Sequence, residues 1–124
     1  MKRPVKVLVA DDRRATRQGL RALLSLLPEV EIIAEAVDGR QSLDFVAECR
    51  PDVVLMDLQM PGMDGIEATR RIKEQWPAVR VIALTIHPQY RAQALAAGAD
   101  IFLLKESDPQ ALVSAILNKV DVSI

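Results

Sequence analysis

The chain has 124 residues and a mass of 13.7 kDa, the size of one domain that buries about two-thirds of its unfolded surface without metal or disulfide staples. Half of the residues are hydrophobic and 27% are charged, which excludes a disordered chain, and the formal charge of −1 excludes the strongly basic surface of a nucleic-acid-binding module. No apolar run approaches the ~18 residues of a membrane span, the run after Met1-Lys2-Arg3-Pro4 is too short for a signal peptide, and the lone Cys49 cannot form an internal disulfide, so a cytoplasmic location with no membrane partner is expected.

In chain order, Val5 to Ala10 is nearly all apolar, as in a strand buried on both faces. Thr16, Leu20, Leu23, Leu24 and Leu27 recur at helical spacing, and Pro28 punctuates that helix. Val30 to Val37 reads as a second strand, more exposed because of Glu31 and Glu35. Asp38-Gly39 is a turn signal, followed by a helix through Leu43, Val46 and Ala47 that carries Cys49 late and stops at Pro51. Val53 to Met56 is a strand ending at Asp57. Asp64 and Glu67 have capping-box spacing before a helix with Ile66, Thr69, Ile72 and Trp76, ended by Pro77. Val79 to Leu84 is a fourth strand closed by Thr85, and a helix from about Pro88 to Ala97 ends at Gly98, a residue suited to the left-handed C-cap. Ile101 to Leu104 is the fifth strand, and Ser107 or Asp108 caps a last helix with Pro109 in its first turn. Leu112, Val113, Ile116, Leu117 and Val120 give that helix a broad apolar stripe, to be divided between sheet packing and any dimer surface.

Five strand–helix pairs imply a parallel sheet with helices on both faces and right-handed crossovers. Ligands in such sheets bind beyond the carboxyl ends of the strands. There the chain places Asp11 and Asp12, Asp57, Thr85 and Lys105. Polar residues are common at strand ends, so any one of these is unremarkable by itself, but three carboxylates a few Å apart repel by several kcal/mol at an effective dielectric of ~20. A cation is therefore expected, and all-oxygen ligands suit Mg²⁺. Carboxylates beside Mg²⁺ with a Lys and a Thr make a phosphoryl-transfer site, in which a carboxylate can be the nucleophile.

Asp11-Asp12, VVLMDLQMPGMDGIEATRRI from 53 to 72, ALT at 83 to 85 and FLLK at 102 to 105 resemble the receiver domain of bacterial two-component response regulators, over essentially the whole chain. GLRALL at 19 to 24, AAGADIFLLK at 96 to 105 and LLKES at 103 to 107 further resemble the NarL/FixJ-like subgroup, with LuxR-type output. The resemblance implies a three-layer, CheY-like doubly wound fold with strand order 2-1-3-4-5. It also implies a phosphoprotein acting as a signalling switch rather than an enzyme on other substrates. Asp57 would be the phosphoacceptor from a sensor histidine kinase, and Asp11, Asp12, Asp57 and the backbone carbonyl of Gln59 would hold Mg²⁺. Thr85 and Lys105 would reach phosphoryl oxygens, and Thr85 with Phe102 would form the switch, against the plain alternative that Phe102 is an ordinary core residue. Gln59 and His87 would tune phosphoryl lifetime, although a lone exposed loop histidine is ordinarily incidental. Arg14, Arg17 and Arg21 share one face of the first helix, either as a merely solvated stripe or as the kinase-docking surface, and phosphorylation can bring a homodimer.

On this reading residues 1–124 form one receiver, and a helix-turn-helix output domain controlling transcription would lie outside this chain. In Met60-Pro61-Gly62-Met63-Asp64-Gly65 the glycines are expected at positive φ, and Asp64 as a helix cap rather than a metal ligand. Many receivers have Pro after the Lys, with a cis peptide. Here Glu106 follows Lys105, and a non-proline cis bond costs ~3–4 kcal/mol, so a trans bond is expected. Arg13 stands where the subgroup often has His. A haloacid-dehalogenase-like phosphatase also forms an aspartyl phosphate, but with its nucleophile after the first strand and a second Asp two residues on, where this chain has Gln59 after Asp57. A degenerate, contact-only receiver is disfavoured by the complete set of five residues.

Overall fold

The computed structural model describes residues 3–118. Strands β1 (Val5–Ala10), β2 (Val30–Ala36), β3 (Val53–Asp57), β4 (Arg80–Thr85) and β5 (Ile101–Leu104) alternate with helices α1 (Arg14–Leu24), α2 (Gly39–Cys49), α3 (Gly65–Gln75), α4 (Arg91–Ala96) and α5 (Pro109–Leu117). All pairings are parallel, and the sheet order is β2-β1-β3-β4-β5, as expected.

Strand side chains alternate between faces, and this alternation divides the core. Leu8, Ala10, Val54, Met56, Val81 and Ala83 pack against α2, α3 and α4 through Val46, Ala68, Ile72 and Ala94. Val7, Val9, Val53, Leu55, Ile82 and Leu84 pack against α1 and α5 through Leu24, Leu112 and Ile116. β3 is buried along its whole length, while β2, on the edge, is mostly half-buried with Glu31 exposed.

Several boundaries differ from expectation for local reasons. α1 ends at Leu24, before Pro28, and Leu27 keeps its place in the core through a turn in which its N–H donates to the Leu24 carbonyl at 3.0 Å. β2 stops at Ala36 because the Val37 N–H is taken by the Gln41 side chain at 3.0 Å. Asp38, read as a turn residue, is the N-cap of α2 and accepts from the Gln41 N–H at 2.8 Å. β4 begins at Arg80 because the Val79 N–H closes a turn onto the Trp76 carbonyl at 2.9 Å. The helix expected from Pro88 to Ala97 is a single 3₁₀ turn, Pro88–Tyr90, followed by the short α4.

Asp64 caps α3, accepting from the Glu67 N–H at 2.9 Å. The reciprocal half of the capping box is absent, because Glu67 is engaged by Arg70 and Arg71, which hold its carboxyl down at about 2. Gly62 has φ +71 and Gly98 φ +107. Gly65 does not share that conformation: its requirement is close approach, since a Cβ there would lie 2.0 Å from the Asp57 carbonyl oxygen. Asp108 rather than Ser107 caps α5. No cis peptide occurs among the described residues, so the 105–106 bond is trans as expected. Val120 lies outside the described residues.

Candidate functional site

The register of the sheet brings the strand ends together. Ala10 pairs with Met56, Asp57 with Leu84, and Thr85 with Leu104, so Asp11, Asp57, Thr85 and Lys105 meet at one edge. Asp11 is 2% exposed, Asp57 5% and Thr85 1%, whereas Asp12 is exposed. The Lys105 N–H donates to the Thr85 carbonyl at 2.9 Å, which ties the start of the last loop to β4.

Asp11, Asp12 and Asp57 each offer a carboxylate oxygen, all within 4.8 Å of one another. At that spacing two carboxylates repel by about 3.5 kcal/mol at an effective dielectric of roughly 20. Lys105 answers part of this: its Nζ lies 2.9 Å from Asp11 Oδ2 and 3.3 Å from Asp57 Oδ1. One ammonium does not neutralise three carboxylates. Burial, and after it the charge of Asp11, push the Asp57 carboxyl above its usual range, against the opposing pull of Lys105 and the Gln59 N–H. Asp11 is held from several sides, since its Oδ1 accepts the Arg13 N–H and its carbonyl accepts from the Arg17 guanidinium, both at 2.8 Å.

A cavity of about 150 Å³ opens here, with Asp57, Thr85 and Lys105 in its wall and the exposed Asp12, Arg13, Gln59 and Ile86 at its rim. The donors are all oxygens, from anionic groups, with one side open to water, a set that fits a hard divalent cation. Thr85 Oγ1 accepts from the His87 N–H at 3.1 Å, which leaves the hydroxyl proton for another acceptor. The Gln59 N–H lies 3.4 Å from Asp57 Oδ1.

Phe102 stands outside this cavity. It pairs with Ala83, two residues before Thr85 in β4, and packs half-buried on the α4 side of the sheet with the Arg91 guanidinium 5.9 Å over its ring. His87, expected to be exposed, is half-buried because its ring meets that of Tyr90 edge-on at 5.9 Å. The Gln59 side-chain amide also reaches the Tyr90 hydroxyl, at 3.4 Å. Tyr90 and Ile86 were missed by the sequence reading, because both sit in a segment without regular periodicity. Their only signal is proximity in sequence to Thr85.

The basic stripe of α1 is divided. Arg17 and Arg21 both pair with Glu35 of β2, Arg17 at 3.2 Å, while Arg14 is exposed at the start of the helix. No helix among the described residues is long and apolar enough to cross a membrane.

The family model for the response regulator receiver domain matches residues 7–117. The transcriptional regulatory protein DegU of Brevibacillus brevis is 38% identical over 114 residues, which make up 90% of this chain and 48% of DegU. A LuxR-family two-component response regulator from Aurantimonas sp. SI85-9A1 superposes with a TM-score of 0.88 at 37% identity, covering 93% of this chain and 84% of that structure. The receiver domain of the putative response regulator NarL from Mycobacterium tuberculosis gives a TM-score of 0.89 at 37% identity, covering 94% of this chain and 96% of the other. The chain spans about half the length of the curated relatives it matches.

Proposed function

The chain belongs to the receiver domain family of two-component response regulators, with relatives of the NarL/LuxR kind, and on that basis we propose that Asp57 accepts a phosphoryl group from the phosphohistidine of a sensor kinase. The observation that carries this reading is the convergence of Asp11, Asp12, Asp57, Thr85 and Lys105 at the ends of four strands around a cavity open on one side.

A carboxylate oxygen of Asp57 attacks phosphorus. An O–P bond forms, the P–N bond to the kinase imidazole breaks, and the imidazole nitrogen keeps the electron pair. Asp11, Asp12, Asp57 and the Gln59 carbonyl would hold Mg²⁺, which when bound supplies positive charge to the phosphoryl oxygens. Both Asp11 carboxylate oxygens already accept hydrogen bonds, from Lys105 and from the Arg13 N–H, so the exposed Asp12 is the more direct ligand and Asp11 acts partly through water. Lys105 exchanges its contact with Asp57 for a phosphoryl oxygen. Thr85, whose oxygen already accepts from His87, donates its hydroxyl proton to another. This is electrostatic stabilisation by groups placed in advance rather than acid–base chemistry.

Movement of Thr85 toward the phosphoryl group draws on the segment after β4, and Phe102 rotates into the space vacated beside α4. Phosphorylation needs to shift the balance of the two states by only a few kcal/mol. Gln59 and His87 at the rim set the lifetime of the acyl phosphate. The kinase docks on α1, where Arg14 is exposed and Arg21 half-exposed. The chain acts on itself alone, in the cytoplasm. The full regulator adds a DNA-binding output domain through which it controls transcription, with homodimerisation on phosphorylation.

Incubation with Mg²⁺ and a small-molecule phosphodonor tests the reading by intact mass. The expected result is one added phosphoryl group in wild type and none in Asp57→Asn. Incorporation that persists in Asp57→Asn, or none in wild type with a donor shown to be active, overturns it.

A further inference from the structure

Helix α1 begins without a side-chain cap, since its N-cap residue, Arg13, makes no such hydrogen bond. An uncapped start leaves the loop before a helix with fewer ties, and here that loop carries Asp11 and Asp12. It is tied from behind instead. Arg17, one turn into α1, donates Nη1 to the Asp11 carbonyl at 2.8 Å and its backbone N–H to the Arg13 carbonyl at 3.1 Å. The Arg17 Nε donates to Glu35 Oε1 at 3.2 Å, and the Arg21 Nε holds Oε2 of the same carboxylate at 2.8 Å. The Asp11 N–H completes the ring by donating to the carbonyl of Ala36, next to Glu35, at 3.0 Å. The side chains of Arg17 and Glu35 are only 15% and 27% exposed, so water and salt screen this pair less than an open-surface one.

A planar guanidinium whose donors point in fixed directions sets two acceptors relative to each other, which a point charge does not. The two acceptors here are the main chain at Asp11 and the edge strand β2. Groups one step behind the ligands commonly govern metal affinity by orienting them. The charge of Arg17 acts in the opposite sense, because a cation beside the site opposes the arrival of another, and Glu35 offsets that charge. Given the reading of Asp11, Asp12 and Asp57 as the Mg²⁺ site, on which this rests, we infer that Arg17 is a positioning residue for the cation. It holds the main chain at Asp11 so that the neighbouring carboxylates stay within reach of Asp57, and Glu35 orients its guanidinium. One arginine of the α1 stripe thereby serves the site from within the fold rather than a docking partner.

Calorimetric titration of the full chain with Mg²⁺ alone tests this. In Arg17→Met, which keeps an unbranched stem without the guanidinium, the Kd for Mg²⁺ should rise about tenfold. Loss of a nearby cation would by itself lower the Kd, so the sign of the change separates positioning from charge. Arg17→Lys keeps the charge but not the forked donor, and should weaken binding in the same direction. It also stands in for the Met variant if circular dichroism shows that one unfolded. A merely structural role would lower the metal-free melting temperature and leave the Kd where it was. Binding in either folded variant as tight as in wild type, or tighter, overturns the inference while the reading of the site stands. A wild type that takes up no Mg²⁺ overturns that reading itself, and the inference with it.

Discussion

Asp57 is 5% exposed beside Asp11, and burial together with the neighbouring charge disfavours its ionised form more than Lys105 and the Gln59 N–H favour it. A carboxyl whose folded-state pKa is raised binds more protons in the folded than in the unfolded chain. Stability is therefore lost as pH rises from about 4 through that raised value. Asp57→Asn removes the penalty. In chelator, the variant should melt above wild type at neutral pH, and the difference should shrink on acidification toward pH 4. Melting curves across that range check it, and a gap that widens in acid would contradict the argument. The five residues of the site were legible because each marks the step from an apolar run to a polar group at a strand end. Tyr90 was not, because nothing in the spacing around it shows that its ring would meet both His87 and Gln59.

Among the glycines, the closest backbone approach is at the junction of β3 and α3. Gly65 begins α3 with its Cα against the Asp57 carbonyl, and its N–H donates to the Leu58 carbonyl at 3.2 Å. Gly65→Ala forces backbone apart at the residue that carries the proposed chemistry, with an expected loss of about 3 kcal/mol and of most phosphoryl incorporation. Gly62→Ala meets only the strain of a positive φ, with no atom within 4 Å of the new Cβ, and should cost about 1 kcal/mol with incorporation retained. Urea unfolding and intact mass separate the two. The sequence reading placed both glycines in one class, because positive φ and close approach leave the same mark in a sequence. Strand and helix identities were legible from periodicity. The ends of α1 and β2, and the split before α4, depended on single hydrogen bonds from Leu27, Val37 and Tyr90 that no pattern of apolar residues encodes.

At the scale of the whole molecule, a core in two layers around one sheet makes cooperative unfolding the expectation, so a ligand at the sheet edge should stabilise the entire fold. Mg²⁺ at a hundred times its dissociation constant should add about 2.7 kcal/mol, read as a melting temperature several degrees higher and reversed by chelation. Asp12→Asn should remove most of that gain with little other effect, because Asp12 is exposed. An equal response to Mg²⁺ in the variant would place the ion elsewhere. The strand order and the division of helices between the faces were legible once the alternation and the family motifs were combined. The pairing of Arg17 and Arg21 with Glu35 was not, since it joins elements that only the folded sheet makes neighbours.

Thr85 has the same parity in β4 as Val81 and Ala83, and Phe102 is the partner of Ala83 in β5. All four belong to the face covered by α2, α3 and α4, whereas Ile82 and Leu84 belong to the face covered by α1 and α5. Odd and even positions of one strand thus address different audiences. If Thr85 is displaced as proposed, the change would reach the α4 layer first, because α1, the helix proposed to meet the kinase, packs on the opposite face of the sheet.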